Sequence, residues 1–204
     1  MKKLVDKSLG QFIYASTVIN YVSSIRHKPT DRLDIIFGIR PPRGDLPFAE
    51  LDALYMHILA SVDDIEPVLE ILSFLLFGNP TSLGPWNWDS SQSIENFLAL
   101  RPGDVDLYLG DLNSLVNIGP KKRVYILHAS LTDFLADSRR SKEFWINPCA
   151  RHTAFARRCL QLLQCKGKQP GFSHNNFTLT SKKNMFHYCG SVFTTQFTIS
   201  KMRN

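Results

Sequence analysis

The residue types that could do chemistry are concentrated in the last third of the chain. Cys149-x-x-His152, Cys159, Cys165 and His187-x-Cys189 are the side chains that bind zinc. A structural zinc site draws its four ligands from tight pairs brought together by the fold. Here only the first pair is tight, no second C-x-x-C follows, and Cys159 falls on an inward helical position. These groups therefore read as small buried hydrophobes or thiols, and no metal ligand is assigned. All four cysteines lie in this third, which argues against a disulfide framework and for reduced thiols. Asp63-Asp64 has the look of a cation-binding pair, but it precedes an apolar helical run and reads as a helix cap. The six histidines are dispersed. The only Gly-Lys pair, Gly167-Lys168, is followed by Gln169, so the chain has no Walker A phosphate cradle. G-x-S-x-G, H-E-x-x-H and G-x-G-x-x-G are also missing. No catalytic residue emerges, and the chain is not expected to be an enzyme.

The elements that would position these groups are those of a globular chain. Its 204 residues, 44% of them hydrophobic, suffice for one domain, or a small one with an appendage. The net charge of +6 is uneven: residues 1–143 carry a formal −3, whereas residues 144–204 carry 9 Lys/Arg and no acid. No run approaches the roughly eighteen apolar residues of a membrane span, and no apolar signal core follows the N-terminal charges. The expected location is cytoplasmic, without membrane insertion.

Along the chain, Leu9, Phe12, Ile13, Ser16, Ile19, Val22 and Ile25 recur at helical spacing and predict one long helix stopped at Lys28-Pro29-Thr30. Leu33, Ile36 and Phe37 predict a short helix. Pro47 opens a longer one with Phe48, Leu51, Leu54, Tyr55, Ile58, Leu59 and Val62 inward. Asp63-Asp64 caps its hairpin partner, which runs through Leu76, and residues 78–91 form a loop. Ser93 caps a helix through Leu100, and Pro102 opens one that carries Val105, Leu109, Leu112, Leu115 and Val116 on one face. Arg123–Leu127 and Glu143–Ile146 read as strands, with a helical turn holding Phe134 and Leu135 and a loop Asp137–Ser141 between them. A last helix, Arg151–Gln164, turns His152, Phe155, Ala156, Cys159, Leu160 and Leu163 inward. The fold class is mainly α, with a small two-stranded β wing, in the element order of a winged helix. The basic stretch beyond has no helical period and is expected to be a weakly structured tail.

Winged helices often bind DNA, so a nucleic-acid-binding winged-helix protein is the alternative function. The helix that would enter the groove carries Asp104, Asp106 and Asp111 and no Lys or Arg. Phosphates would repel it, and Lys121-Lys122-Arg123 reads as a solvated turn, so nucleic acid is not the expected partner.

Four segments carry a more specific likeness. They are Gly10-Gln11-Phe12-Ile13-Tyr14-Ala15-Ser16-Thr17, the stretch Pro47–Leu59, Leu100-Arg101-Pro102-Gly103-Asp104-Val105, and Ile126-Leu127-His128-Ala129-Ser130-Leu131-Thr132-Asp133-Phe134-Leu135. Their order and spacing over residues 8–164 resemble the region after the P-loop core of fungal NACHT-domain proteins, the NOD-like receptor group of the STAND NTPases. The resemblance implies a helical lid remnant at 8–45, a winged-helix domain at 48–165 and the basic tail at 166–204. It also implies a switch that holds ADP between nucleotide-binding core, lid and winged helix, and that oligomerises when ATP replaces it. His128 then occupies the place of the winged-helix histidine that reaches the ADP β-phosphate, in an H-x-[ST]-[FL]-x-[DE]-F pattern. Phe12 stands where the lid's Gly-x-Pro element, beside the adenine, has its proline; by its own spacing Phe12 is a core position. Asp133 and Phe134 are expected to fix the corner by capping and packing. Walker A, Walker B and the sensor region would lie upstream of Met1. The expected function is that of a truncated, non-catalytic regulatory or interaction module. No cofactor is expected in isolation, ADP or ATP would bind only with an intact NACHT core, and the partner would be a NACHT-type receptor in trans.

Overall fold

The computed structural model describes residues 2–8, 11–39, 48–77 and 89–164. Those residues build a mainly helical fold with a small two-stranded antiparallel sheet. The basic tail and most of the expected 78–91 loop lie outside the described residues.

The helix expected from Leu9 to Ile25 is shorter, α2 (Phe12–Val22), and a separate helix, α1 (Lys2–Ser8), precedes it. Helix α2 ends at Val22, with the Ser23 N–H bonded to the Ile19 carbonyl at 2.9 Å. The helix closes at Ser23, before Ile25, which is left 100% exposed. The buried face of α2 is also rotated from the expected one. Tyr14, Thr17, Val18 and Tyr21 point inward, while Phe12 is 81% exposed and Ile19 is exposed as well. Both sets satisfy the 3.6-residue period, so periodicity alone does not choose between them. The tyrosine face wins because it buries two large rings, and the Tyr21 hydroxyl still finds a partner 3.2 Å away in His57 Nε2. Pro29 opens α3 (Pro29–Gly38), whose Ile36 is fully buried.

Helices α4 (Ala49–Ala60) and α5 (Ile65–Phe77) lie close to where they are expected, with Leu51, Leu54, Tyr55, Ile58 and Leu59 buried on the first. Phe48, expected inward, is half-exposed. Asp63 and Asp64 are exposed just ahead of α5, where negative charge favours a helix N-terminus. Helix α5 is the hub of the core: α6 (Ser91–Leu98), α7 (Asp104–Tyr108), α10 (Pro148–Gln164) and strand β2 (Val124–Ile126) all pack on it. Its Phe74 ring lies 4.9 Å from Phe97 and 5.8 Å from Phe155.

Four expectations give way between residues 90 and 146. Helix α6 is capped by Ser90, whose Oγ accepts the Ser93 N–H at 3.2 Å, so Ser93 is the donor and not the cap. The expected helix from Pro102 to Val116 lasts only from Asp104 to Tyr108. Leu109, Leu112, Leu115 and Val116 are nonetheless all buried, carried inward by successive tight turns such as Leu115 N–H to Leu112 carbonyl at 2.8 Å. At Gly110 an added Cβ would lie 2.7 Å from an Arg26 guanidinium nitrogen, so the glycine leaves room for that side chain. Val116 then begins strand β1 (Val116–Ile118), which pairs antiparallel with β2 in the register Asn117↔Tyr125.

The partner strand therefore precedes β2, and Glu143–Ile146 is not a strand. Lys142–Phe144 is a 3-10 turn, and the Ile146 N–H bonds back to the Leu135 carbonyl at 2.9 Å. Alternation of Phe144 and Ile146 imitates a strand because both side chains are buried by the turn. Between them and β2 stand α8 (Ala129–Ala136) and the single-turn α9 (Ser138–Ser141), the latter capped by Asp137 where a loop is expected. Helix α10 starts at Pro148, three residues ahead of expectation, and leaves Leu160 exposed while Leu162 is buried. Among the described residues, no helix is long and apolar enough to cross a membrane.

Because Phe74 is almost fully buried where three helices meet, Phe74→Ala should cost about 3–5 kcal/mol in urea unfolding. Phe12→Ser should stay within about 0.5 kcal/mol of the parent, as befits an exposed position.

Candidate functional site

The corner around His128 is where strand gives way to helix. Leu127 extends the ladder of β2, its N–H bonding to the Leu115 carbonyl at 2.9 Å. His128 follows in extended geometry (φ −137°, ψ 128°) and occupies the N-cap position of α8, its carbonyl accepting the Leu131 N–H at 3.1 Å. Its side chain does not cap the helix. The imidazole Nε2 is buried and has no hydrogen-bond partner among the described residues, and burial lowers the pKa of the ring. The outcome is a neutral imidazole with one nitrogen unsatisfied, which is costly unless something else meets it.

The rest of the motif fixes α8. The Ser130 hydroxyl and the Tyr55 hydroxyl of α4 are 2.9 Å apart, and the Phe134 ring packs 5.3 Å from the Tyr55 ring. The pKa of Tyr55 is raised above all by burial, against the opposing effect of the nearby hydroxyls of Ser130 and of Thr17 on α2. Arg140 of α9 completes the junction with two bonds to Asp52 of α4, at 3.0 and 2.7 Å, and lies over the Phe134 ring at 5.9 Å. Phe134 thus packs as expected. Asp133 does not cap; it is exposed and acts on the junction only through its charge near Arg140.

Phe12 is at the first position of α2, outside the core expected for it. No hydrogen bond or ring contact among the described residues joins it to His128, and Gly10 lies outside those residues. Cys149 and His152 stand at the start of α10, and Cys159 is buried further along it. Burial lowers the pKa of His152, which packs against Phe77 at 5.7 Å. Cys165, His187 and Cys189 lie outside the described residues, and among those described no cluster of three or more acidic, histidine or cysteine groups converges on a metal position.

A cleft of about 510 Å³ opens elsewhere, between the start of α6 and the β1–β2 turn, lined by Ser91, Glu95, Gly103, Asp106, Lys121 and Lys122 among others. Glu95 is buried there and accepts the N–H groups of Gly103 at 2.9 Å and Val105 at 3.3 Å. The acids of the would-be recognition helix have structural partners. Asp106 holds Lys122 at 3.0 Å, Asp111 holds Arg26 at 2.9 Å, and Asp104 accepts the Arg101 N–H at 2.8 Å. Arg123 is bonded to Asp89 through Nε at 2.8 Å. Sequence reasoning missed the pairs of Asp106 with Lys122, Asp111 with Arg26 and Asp89 with Arg123 because each joins residues well separated in the chain, and it also missed the buried Arg32 beside Tyr21 and His27.

Two measurements follow. A double-mutant cycle of Tyr55→Phe and Ser130→Ala should return a coupling of about 1 kcal/mol, the worth of one hydrogen bond. For pH, the rings of His57, His128 and His152 all have folded-state pKa values lowered, in each case chiefly by burial. The unfolded chain then binds protons more readily, so stability is complete above about 6.5 and falls as pH drops through that value toward the lowered ones. The urea midpoint should decrease between about pH 7.5 and 5.5, and replacing all three by Gln should flatten that decrease.

Comparison with known protein families, with curated proteins and with solved structures yields no match to this chain.

Proposed function

We propose that this chain is a non-catalytic regulatory or interaction module of the NACHT class of STAND signalling NTPases, with lid helices at 8–45 and a winged-helix region at 48–165. The observation that carries the reading is the corner at His128. It presents a neutral, half-buried imidazole whose buried Nε2 has no partner among the described residues, at the junction of a strand and a helix whose Ser130 and Phe134 anchor it to α4. An Nε2–H there donates to a phosphate oxygen that another part of the switch brings. The Tyr55–Ser130 bond supports the same reading, because it ties α4 to the helix after His128. ADP or ATP is then the ligand of the joined assembly, and the partner is an intact NACHT-type receptor in the cytoplasm.

One hydrogen bond without a phosphate clamp does not offset the cost of association. Isothermal titration of the chain alone with ADP should therefore show no binding at micromolar concentration. Micromolar affinity abolished by His128→Ala would instead make the chain a nucleotide binder in its own right. Co-precipitation with an intact NACHT protein should succeed, and should weaken for Tyr55→Phe/Ser130→Ala. Failure to co-precipitate, together with tight duplex binding at physiological salt after removal of residues 165–204, would replace this reading with nucleic-acid recognition.

A further inference from the structure

We propose that the cleft between the start of α6 and the β1–β2 turn binds a small zwitterion of the α-amino-acid class, its ammonium on Glu95 and its carboxylate at the N-terminus of α6 beside Lys121. The cleft, of about 510 Å³, has the size that encloses a small molecule. Glu95, which lines it, is only 7% exposed. One carboxylate oxygen, Oε1, accepts the N–H groups of Gly103 and Val105 and so caps the start of α7. The other, Oε2, has no hydrogen-bond partner among the described residues, yet it is not sealed in the interior, and the space that Glu95 borders is the cleft. A carboxylate oxygen only accepts, so what it lacks is a donor. An ammonium group supplies both the donor and the opposite charge.

The remaining charges of the cleft decide what else the ligand carries. Lys122 is engaged by Asp106, its Nζ lying 3.0 Å from each carboxylate oxygen. Lys121 is exposed and forms no ion pair among the described residues. Of the charged groups that line the cleft, Glu95 and Lys121 are therefore the two without an ionic partner. A simple cation would meet Lys121 and a simple anion would meet Glu95, whereas a zwitterion satisfies both. Its anionic end also has the first turn of α6, where Ser91 and Gln92 line the cleft and backbone N–H groups lack intrahelical acceptors. Ser91 and Glu95 stand one turn apart on the same helix face, about 5–6 Å between Cβ atoms. An α-amino acid, with both charged groups on one carbon and a hydrogen bond at each end, bridges such a span. The walls are fixed before a ligand arrives. The Ser91 hydroxyl donates to the Lys122 carbonyl at 3.3 Å, the Val124 N–H to the Asp89 carbonyl at 2.6 Å, and Glu95 ties α6 to α7. Such preorganisation spares ordering cost on binding. His128 is not among the lining residues, so this site is separate from the corner beyond the other end of β2.

NMR titration of the full chain with the standard L-amino acids tests this, with methylammonium and acetate as the two halves of the ligand. At least one amino acid should bind at about 10 mM or below, shifting the amides of Ser91, Gln92 and Gly103, and each half alone should bind about tenfold more weakly. Glu95→Gln keeps an amide oxygen for the Gly103 and Val105 N–H groups but turns a donor toward the ligand, and should weaken binding about tenfold. Lys121→Asn removes the cation while tolerating the left-handed backbone at φ 59°, and should weaken binding about threefold. Its fold does not rest on a buried bond, so it carries the test if Glu95→Gln does not fold. Absence of binding by every amino acid at that concentration would overturn the proposal. So would acetate binding as tightly as the best amino acid, which would leave an anion site alone, or affinity unchanged in either folded variant.

Discussion

The Tyr55 hydroxyl has no water to turn to. It belongs to a fully buried residue, and its hydrogen-bond partner comes from another helix, Ser130 on α8. A buried hydroxyl without a partner costs more than most single packing contacts contribute, so α4 and α8 are held in one mutual arrangement. Beside it, Phe134 fills the space against the Tyr55 ring, and Arg140 grips Asp52 from the far side. The orientation of α8 follows from this node, and with it the direction in which His128 enters the helix.

The remainder of the fold is arranged around α5, which supplies apolar area and no such polar constraint. Phe74, Phe97 and Phe155 meet there from three helices. The hairpin of β1 and β2 packs on the same helix, and the ion pairs of Asp106 with Lys122 and Asp89 with Arg123 fasten its turn to neighbouring segments. Lys121 and Lys122 both adopt left-handed backbone, with φ of 59° and 58°, a conformation that side-chain-bearing residues enter at a cost. The five-residue connection from Gly119 to Arg123, closed by a 2.8 Å backbone bond, holds them in it.

Much of the element order was legible. The helices at Ala49–Ala60 and Ile65–Phe77 declare themselves by long apolar periods, and the strand at Val124–Ile126 by its β-branched residues. Residues 109–116 were misread because turns of three to four residues repeat buried positions at nearly the spacing of a helix. The face of α2 was misread because Phe12 and Ile19 mark one apolar stripe and Tyr14, Val18 and Tyr21 another. His128 could be singled out from its sequence motif, while Asp52 and Tyr55 carried no sign that they would support its helix.

By itself, the sequence determined the fold class, the position of most elements and the division of charge between the first 143 residues and the rest. These follow from local propensity and pattern, which act over a few residues. Only the tertiary structure decided which face of α2 is buried, that β1 and not Glu143–Ile146 pairs with β2, and that Nε2 of His128 has no partner among the described residues. Each of those outcomes is a contest for partners between residues far apart in the chain. Pairing and burial settle it once the elements meet, and no local pattern records the result.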